Sequence, residues 1–258
     1  MPEPVWTSYS VEEGASPLHL HVDTLHLWIK KYNEEFWIAH TYATADNADP
    51  EPDDKTEWER WAPKSDENEI QLRPIFPNLP VIVSSEYPLK LVPGAKIQVY
   101  CRVPLWMEIS LAKSKYVLQE IPITKLSRTW FGTTLEGELC YWLTSKARRS
   151  LEEVESKPYL VNCPIQITNK SHAELNFERF CYRVERLGIY RLKDEYWADE
   201  TNIVYQGEEQ HSDVTMSGKL PAKLGKGELI SKPRNPVSKS LATRTFKMLF
   251  DDTIISAK

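Results

Sequence analysis

Glycine is scarce: nine of 258 residues, against eighteen prolines. Loops that cradle phosphate need glycine at fixed offsets, because only a residue without a Cβ lets the backbone close around the anion. Neither GxGxxG nor GxxxxGK[ST] occurs, and Gly225-Lys226-Gly227 stands alone in a polar segment. HExxH, GxSxG and the kinase signatures are missing too. Dinucleotide-binding, P-loop, zincin and serine-hydrolase chemistries therefore have no foothold. Long apolar runs are also missing, and the opening MPEPVWTSYS has neither a basic n-region nor an apolar h-region. A soluble cytoplasmic protein is expected. The four cysteines, Cys101, Cys140, Cys163 and Cys181, lie far apart in apolar or aromatic segments without CxxC spacing. They are expected to be reduced and buried rather than to form a zinc knuckle or two long-range disulfides.

What is abundant points to strands. Nine tryptophans and twelve tyrosines suit pleated surfaces, and the prolines suit strand ends and edges. Leu25 to Tyr42, LHLWIKKYNEEFWIAHTY, reads as a hairpin turning at Asn33-Glu34. With an even loop, Leu25, Leu27 and Ile29 share a face with Phe36, Ile38 and His40, and the other face carries His26, Trp28, Lys30, Tyr32, Glu35 and Trp37. Prolines at 74, 77, 80, 88, 93, 104 and 122 divide the following stretch into short strands. Leu143 to Ser156 has apolar residues at 143, 147, 151 and 154 and reads as a short connecting helix. SLATRTFKMLF reads as an amphipathic helix with Leu241, Phe246, Leu249 and Phe250 near one side.

The expected fold is all-β: antiparallel sandwich-like sheets in two packed units, with a short C-terminal helix. The expected division is 1–148, carrying an acidic loop at 46–69, then a smaller β-domain at 149–222, then a basic tail at 223–258. The acidic loop holds ten acids and three bases, and residues 223–247 hold seven bases and one acid. Solvation explains both; attraction between them, or docking of the tail on an acidic partner, is the sharper reading. Overall acidity, a net charge of -5, disfavours nucleic acid as a partner.

Two sets of side chains are candidates for function. In LHLHVDTLHLW, residues two apart share a strand face, so His19, His21 and Asp23 can converge on one divalent transition metal. The alternating Leu18, Leu20 and Val22 equally describe a half-buried strand whose histidines meet solvent, with no cofactor, and this reading is preferred. The second set is aromatic: Trp28, Tyr32 and Trp37 on the hairpin, with Trp58 and Trp61 in the acidic loop, offer stacking surfaces to a sugar, a base or a partner protein, while cover by a second sheet or the C-terminal segment is the preferred reading. DNADPEPDD lacks the pattern of an EF-hand loop.

From Ile70 onward the order of landmarks resembles one family. RPIFPNLP, LVPGAKIQVYCRVP, IPITKLSRTWFGTTLEGELCYWL and VNCPIQITNKS are similar to domain-of-unknown-function family number 432, a prokaryotic group. Trp130-Phe131-Gly132 followed by Gly137-Glu138-Leu139-Cys140-Tyr141 is the most specific part. The resemblance spans roughly residues 20–210 and implies no catalytic residue and no cofactor; such genes are associated with small mechanosensitive channels, so a peripheral contact with a membrane protein is compatible with it. The leading expectation is a non-enzymatic accessory protein that holds a protein partner, or a second copy of itself through the basic tail. The alternative is a carbohydrate-binding or metal-dependent hydrolytic β-sandwich.

Overall fold

The computed structural model describes residues 5–64, 66–135, 137–151, 157–207, 212–236, 241–243 and 246–248. Strands run β1 (Ser8–Ser10), β2 (Leu18–Val22), β3 (Leu25–Tyr32), β4 (Glu35–Tyr42), β5 (Glu59–Trp61), β6 (Glu69–Ile75) and β7 (Val81–Leu91). Then come β8 (Lys96–Pro104), β9 (Trp106–Leu111), β10 (Val117–Pro122), β11 (Arg128–Gly132), β12 (Gly137–Trp142), β13 (Leu160–Asn169) and β14 (Leu175–Tyr182). The last are β15 (Ile189–Leu192), β16 (Glu195–Ala198), β17 (Thr201–Tyr205), β18 (Ser212–Met216), β19 (Glu228–Ser231), β20 (Leu241–Thr243) and β21 (Phe246–Met248). Helix among the described residues amounts to two 3-10 turns, Val184–Arg186 and Ala222–Leu224.

The chain forms two compact units: residues 1–75 with 105–125, and 76–104 with 126–258. The first holds two four-stranded antiparallel sheets, β2-β3-β4-β5 and β1-β6-β9-β10. Asn33 and Glu34 both take positive φ, 51° and 62°, the twist that a two-residue hairpin turn requires, and the register Leu27↔His40, Ile29↔Ile38 follows. Leu25, Leu27, Ile29, Phe36 and Ile38 are buried, as are Ile70, Leu72, Met107, Ile109 and Leu111 of the other sheet. Each such side chain contributes about 1.5–3 kcal/mol by leaving water. Lys31 sits on this apolar face too, and its ammonium donates to the Glu67 carbonyl (3.1 Å) and to Asn68 Oδ1.

In the second unit the sheets are mixed rather than wholly antiparallel. One is β11-β12-β7-β14-β21, with β12 parallel to β7; the other is β19-β15-β16-β13-β17-β18-β20, with β16 and β17 both parallel to β13 and β8 antiparallel along it. The nine-residue pairing of β8 with β13 joins residues on both sides of the 148/149 boundary read from the sequence. Pro88 is accommodated without breaking β7: the register with β14 jumps from Leu89↔Phe177 to Ser84↔Arg179, so residues 85–88 bow out of the ladder where a missing N–H costs nothing.

Both helix expectations need correction. Residues 144–151 form no helix but a bent segment with isolated bridges Ser85↔Ala147 and Tyr100↔Arg148. A spacing of four fits a strand as well as a helix, since four is a multiple of two, and long-range pairing decided between them. Residues 152–156 lie outside the described residues. At the C-terminus, β20 pairs with β18 and β21 with β14, so the described parts of the expected helix are strands; Leu249 and Phe250 lie outside the described residues.

Candidate functional site

A second two-residue turn, Asp23-Thr24, joins β2 to β3 and sets the register His19↔Trp28, His21↔His26. All three histidines therefore share one face. His19 Nε2 lies 3.1 Å from His26 Nδ1, and the rings stack: His19 on His26 at 5.2 Å, His21 on His26 at 5.6 Å, His19 on Trp28 at 5.0 Å. His26 is buried beneath this stack while His19 and His21 are exposed. Burial, then the neighbouring His19 and His21, hold His26 below the usual imidazole value, against the opposing pull of Asp49 at 3.8 Å. Asp23 occupies the turn itself at φ 54°. Among the described residues no group of three or more His, Cys, Asp or Glu is placed to hold a metal ion.

The aromatic set is largely spent on internal contacts. Trp28 is only 4% exposed. The Lys30 ammonium lies 4.0 Å from the Trp58 ring centroid and 4.9 Å from that of Trp37, and the Arg60 guanidinium lies 4.7 Å from Trp37. Glu35 ties the group together, accepting from Trp37 Nε1 (3.0 Å) and Arg60 Nε (2.9 Å). β5 pairs with β4 at Phe36↔Trp61, which puts Trp61 on the opposite face from Trp37. Of the five aromatics, Tyr32 alone is exposed, at 51%.

A different aromatic stands out. Trp130 on β11 is 53% exposed, opposite the exposed Leu139 of β12, with Leu135 at the hairpin tip. Its indole N–H donates to the Thr133 carbonyl at 2.9 Å, and the ring lies so close over Gly137 that a Cβ there would sit 2.2 Å from Nε1. The reverse face of the hairpin packs Phe131 and Cys140 against Ile82 and Cys181. β11 is an edge strand of its sheet among the described residues. Sequence reading missed Trp130 because it weighed tryptophans by clustering; the signal was the phase of WFGTTLEGELC, which sends Phe131 and Cys140 inward and Trp130 and Leu139 outward.

The family described as Protein of unknown function (DUF432) matches residues 5–250. The chain belongs to this family. The match takes in the acidic loop and most of the basic segment, beyond the 20–210 range over which the resemblance was read. No curated protein and no solved structure matches the chain. In this DUF432 protein the segments that looked like appendages are built into the units. Glu67 is buried and accepts from the backbone N–H of Lys113 (2.8 Å) and Ser114 (3.3 Å), and Arg234 Nε donates to the Phe76 carbonyl at 2.6 Å. All four cysteines are free and buried; Cys101 faces Cys163 across β8 and β13, and Cys140 Sγ lies 3.8 Å from Cys181 Sγ. Burial and the adjoining Cys101 push the Cys163 thiol well up, and Cys140 and burial do the same to Cys181, so neither is a ready nucleophile. No helix among the described residues is long and apolar enough to cross a membrane.

Proposed function

We propose that the protein is a non-catalytic accessory that holds a protein partner on the outer face of the β11–β12 hairpin. The observation that carries this reading is Trp130: a large apolar side chain kept half in solvent, yet fixed by its bond to Thr133 and by its seat on Gly137. A rigid indole flanked by Leu139 loses little conformational entropy on binding, which is the usual make-up of an energetic anchor at an interface. The carbohydrate alternative is weakened by Lys30 and Arg60, which occupy the ring faces of Trp37 and Trp58 that a sugar would use.

The test begins with the chain as bait in its native host; the captured protein is then purified and titrated against wild type, Trp130→Ala and the Trp28→Ala/Trp37→Ala pair. Trp130→Ala is expected to weaken Kd about 30-fold, the equivalent of about 2 kcal/mol, with an unchanged circular dichroism spectrum. A purified partner that binds Trp130→Ala as tightly as wild type overturns the proposal.

A further inference from the structure

We propose that a cleft in the second unit binds a small phosphate monoester. The cleft has a volume of about 290 Å³, near the lower end of the roughly 300–1,000 Å³ typical of small-molecule sites. Its floor is β8, with Tyr100, Cys101 and Arg102; its rim is the 144–151 segment, with Lys146, Arg148 and the Thr144 hydroxyl; Glu86, from the bowed part of β7, closes one side.

The rim is held in place by backbone hydrogen bonds. Tyr100 N–H donates to Arg148 O (2.7 Å) and Arg148 N–H to Tyr100 O (2.9 Å), while Ala147 N–H donates to Ser84 O (2.7 Å) and Glu86 N–H to Ala147 O (3.0 Å). The floor cation is fixed as well. Arg102 is 5% exposed, its Nε donates to Asn162 Oδ1 at 2.9 Å, and Ser145 Oγ donates to its carbonyl at 2.5 Å. The Asn162 bond orients the guanidinium, and the Ser145 bond holds the rim against the backbone of β8, before any ligand arrives.

Charge selects the ligand class. Arg102, Lys146 and Arg148 face Glu86 alone among the lining acids, and Glu86 pairs with Arg148 at 2.9 Å. Behind the wall Glu195 acts on Arg102, and Lys223 donates to the Tyr100 hydroxyl. The lining therefore carries an excess of two positive charges, which a phosphate monoester, at about -1.5 to -2 near neutral pH, balances. Arginine is also the side chain that meets phosphate oxygens two at a time. Tyr100 and Leu151, part of an apolar cluster with Trp197 and Leu220, give the organic group of the ester a surface to lie on. The lining shares no residue with the β11–β12 hairpin and is independent of the Trp130 reading.

Phenyl phosphate, inorganic phosphate and phenol, each titrated by calorimetry into the full chain, test the proposal, with Lys146→Glu as the variant. Lys146 is exposed, so its replacement spares the core. Saturable binding of phenyl phosphate is expected, weakened at least tenfold in Lys146→Glu and accompanied by amide shifts over residues 144–151, with phenol silent. Stronger binding of phenyl phosphate than of inorganic phosphate assigns the apolar wall to the organic group. Equal binding of the two overturns the monoester assignment, and phenyl phosphate binding that is undetectable at millimolar concentration, or equal in wild type and Lys146→Glu, overturns the site.

Discussion

Individual side chains set what this surface tolerates. Gly137 is the clearest case: a Cβ there would meet Trp130 Nε1 at 2.2 Å and the Phe131 carbonyl at 2.8 Å. Gly137→Ala is therefore expected to cost about 1–3 kcal/mol by overpacking and to loosen Trp130, seen as a shift in its indole N–H resonance. Part of that cost should vanish in the Trp130→Ala background, where one of the two clashes is gone; full additivity would show that the ring does not rest on the glycine. The imidazole stack makes a second residue-scale prediction. His26 is held low by burial and its histidine neighbours, and His40 by burial and then Lys125, so both bind protons more weakly folded than unfolded. Folding is then fully stabilised above the unfolded histidine value of about 6.5 and loses stability as pH falls below it. Urea titrations at pH 7.5 and 5.5 should show that loss, and the His26→Phe/His40→Phe variant should show a shallower dependence. Equal slopes in the two proteins would discard the account.

At the scale of elements, the β3–β4 hairpin places a glutamate where the turn needs a left-handed residue. A side chain in that region costs roughly 1–2 kcal/mol, while glycine costs roughly 0.5–1 kcal/mol of chain entropy. Glu34→Gly should thus raise stability by about 0.5–1 kcal/mol, read as a higher urea midpoint at unchanged m-value, and the bond from residue 34 N–H to Glu13 (3.3 Å) survives because it uses backbone. A lower midpoint would contradict this balance. The hairpin was legible in the sequence because strict alternation and a two-residue turn fix register locally. A turn of the same length, Asp23-Thr24, lies ten residues earlier; it brings His26 beside His19 and His21, whereas alternation alone groups Asp23 with those two histidines. Nothing local announces that β8 lies along β13, some sixty residues away, or that Arg102 then meets Asn162, because such pairings are decided by what else is available to satisfy the strand edges.

For the molecule as a whole, the basic segment changes meaning once its backbone is followed. Seven cations from Lys223 to Lys247 looked like a solvated arm suited to an acidic partner. Its described parts instead extend both sheets of the second unit: β19 on β15, β20 on β18, β21 on β14. Lys223 bonds Tyr100, and Arg234 reaches the Phe76 carbonyl, so the segment also ties in through side chains. An arm that only recruits a partner can be removed at no cost to the fold, whereas removing edge strands leaves rows of unpaired N–H and C=O groups that invite aggregation. Deleting residues 223–258 should therefore lower the thermal midpoint by many degrees and raise the light-scattering mass through association of the exposed edges of β14, β15 and β18. If the truncated chain keeps the wild-type midpoint and mass, these strands contribute nothing to the fold and the segment is the free basic arm that its composition first suggested.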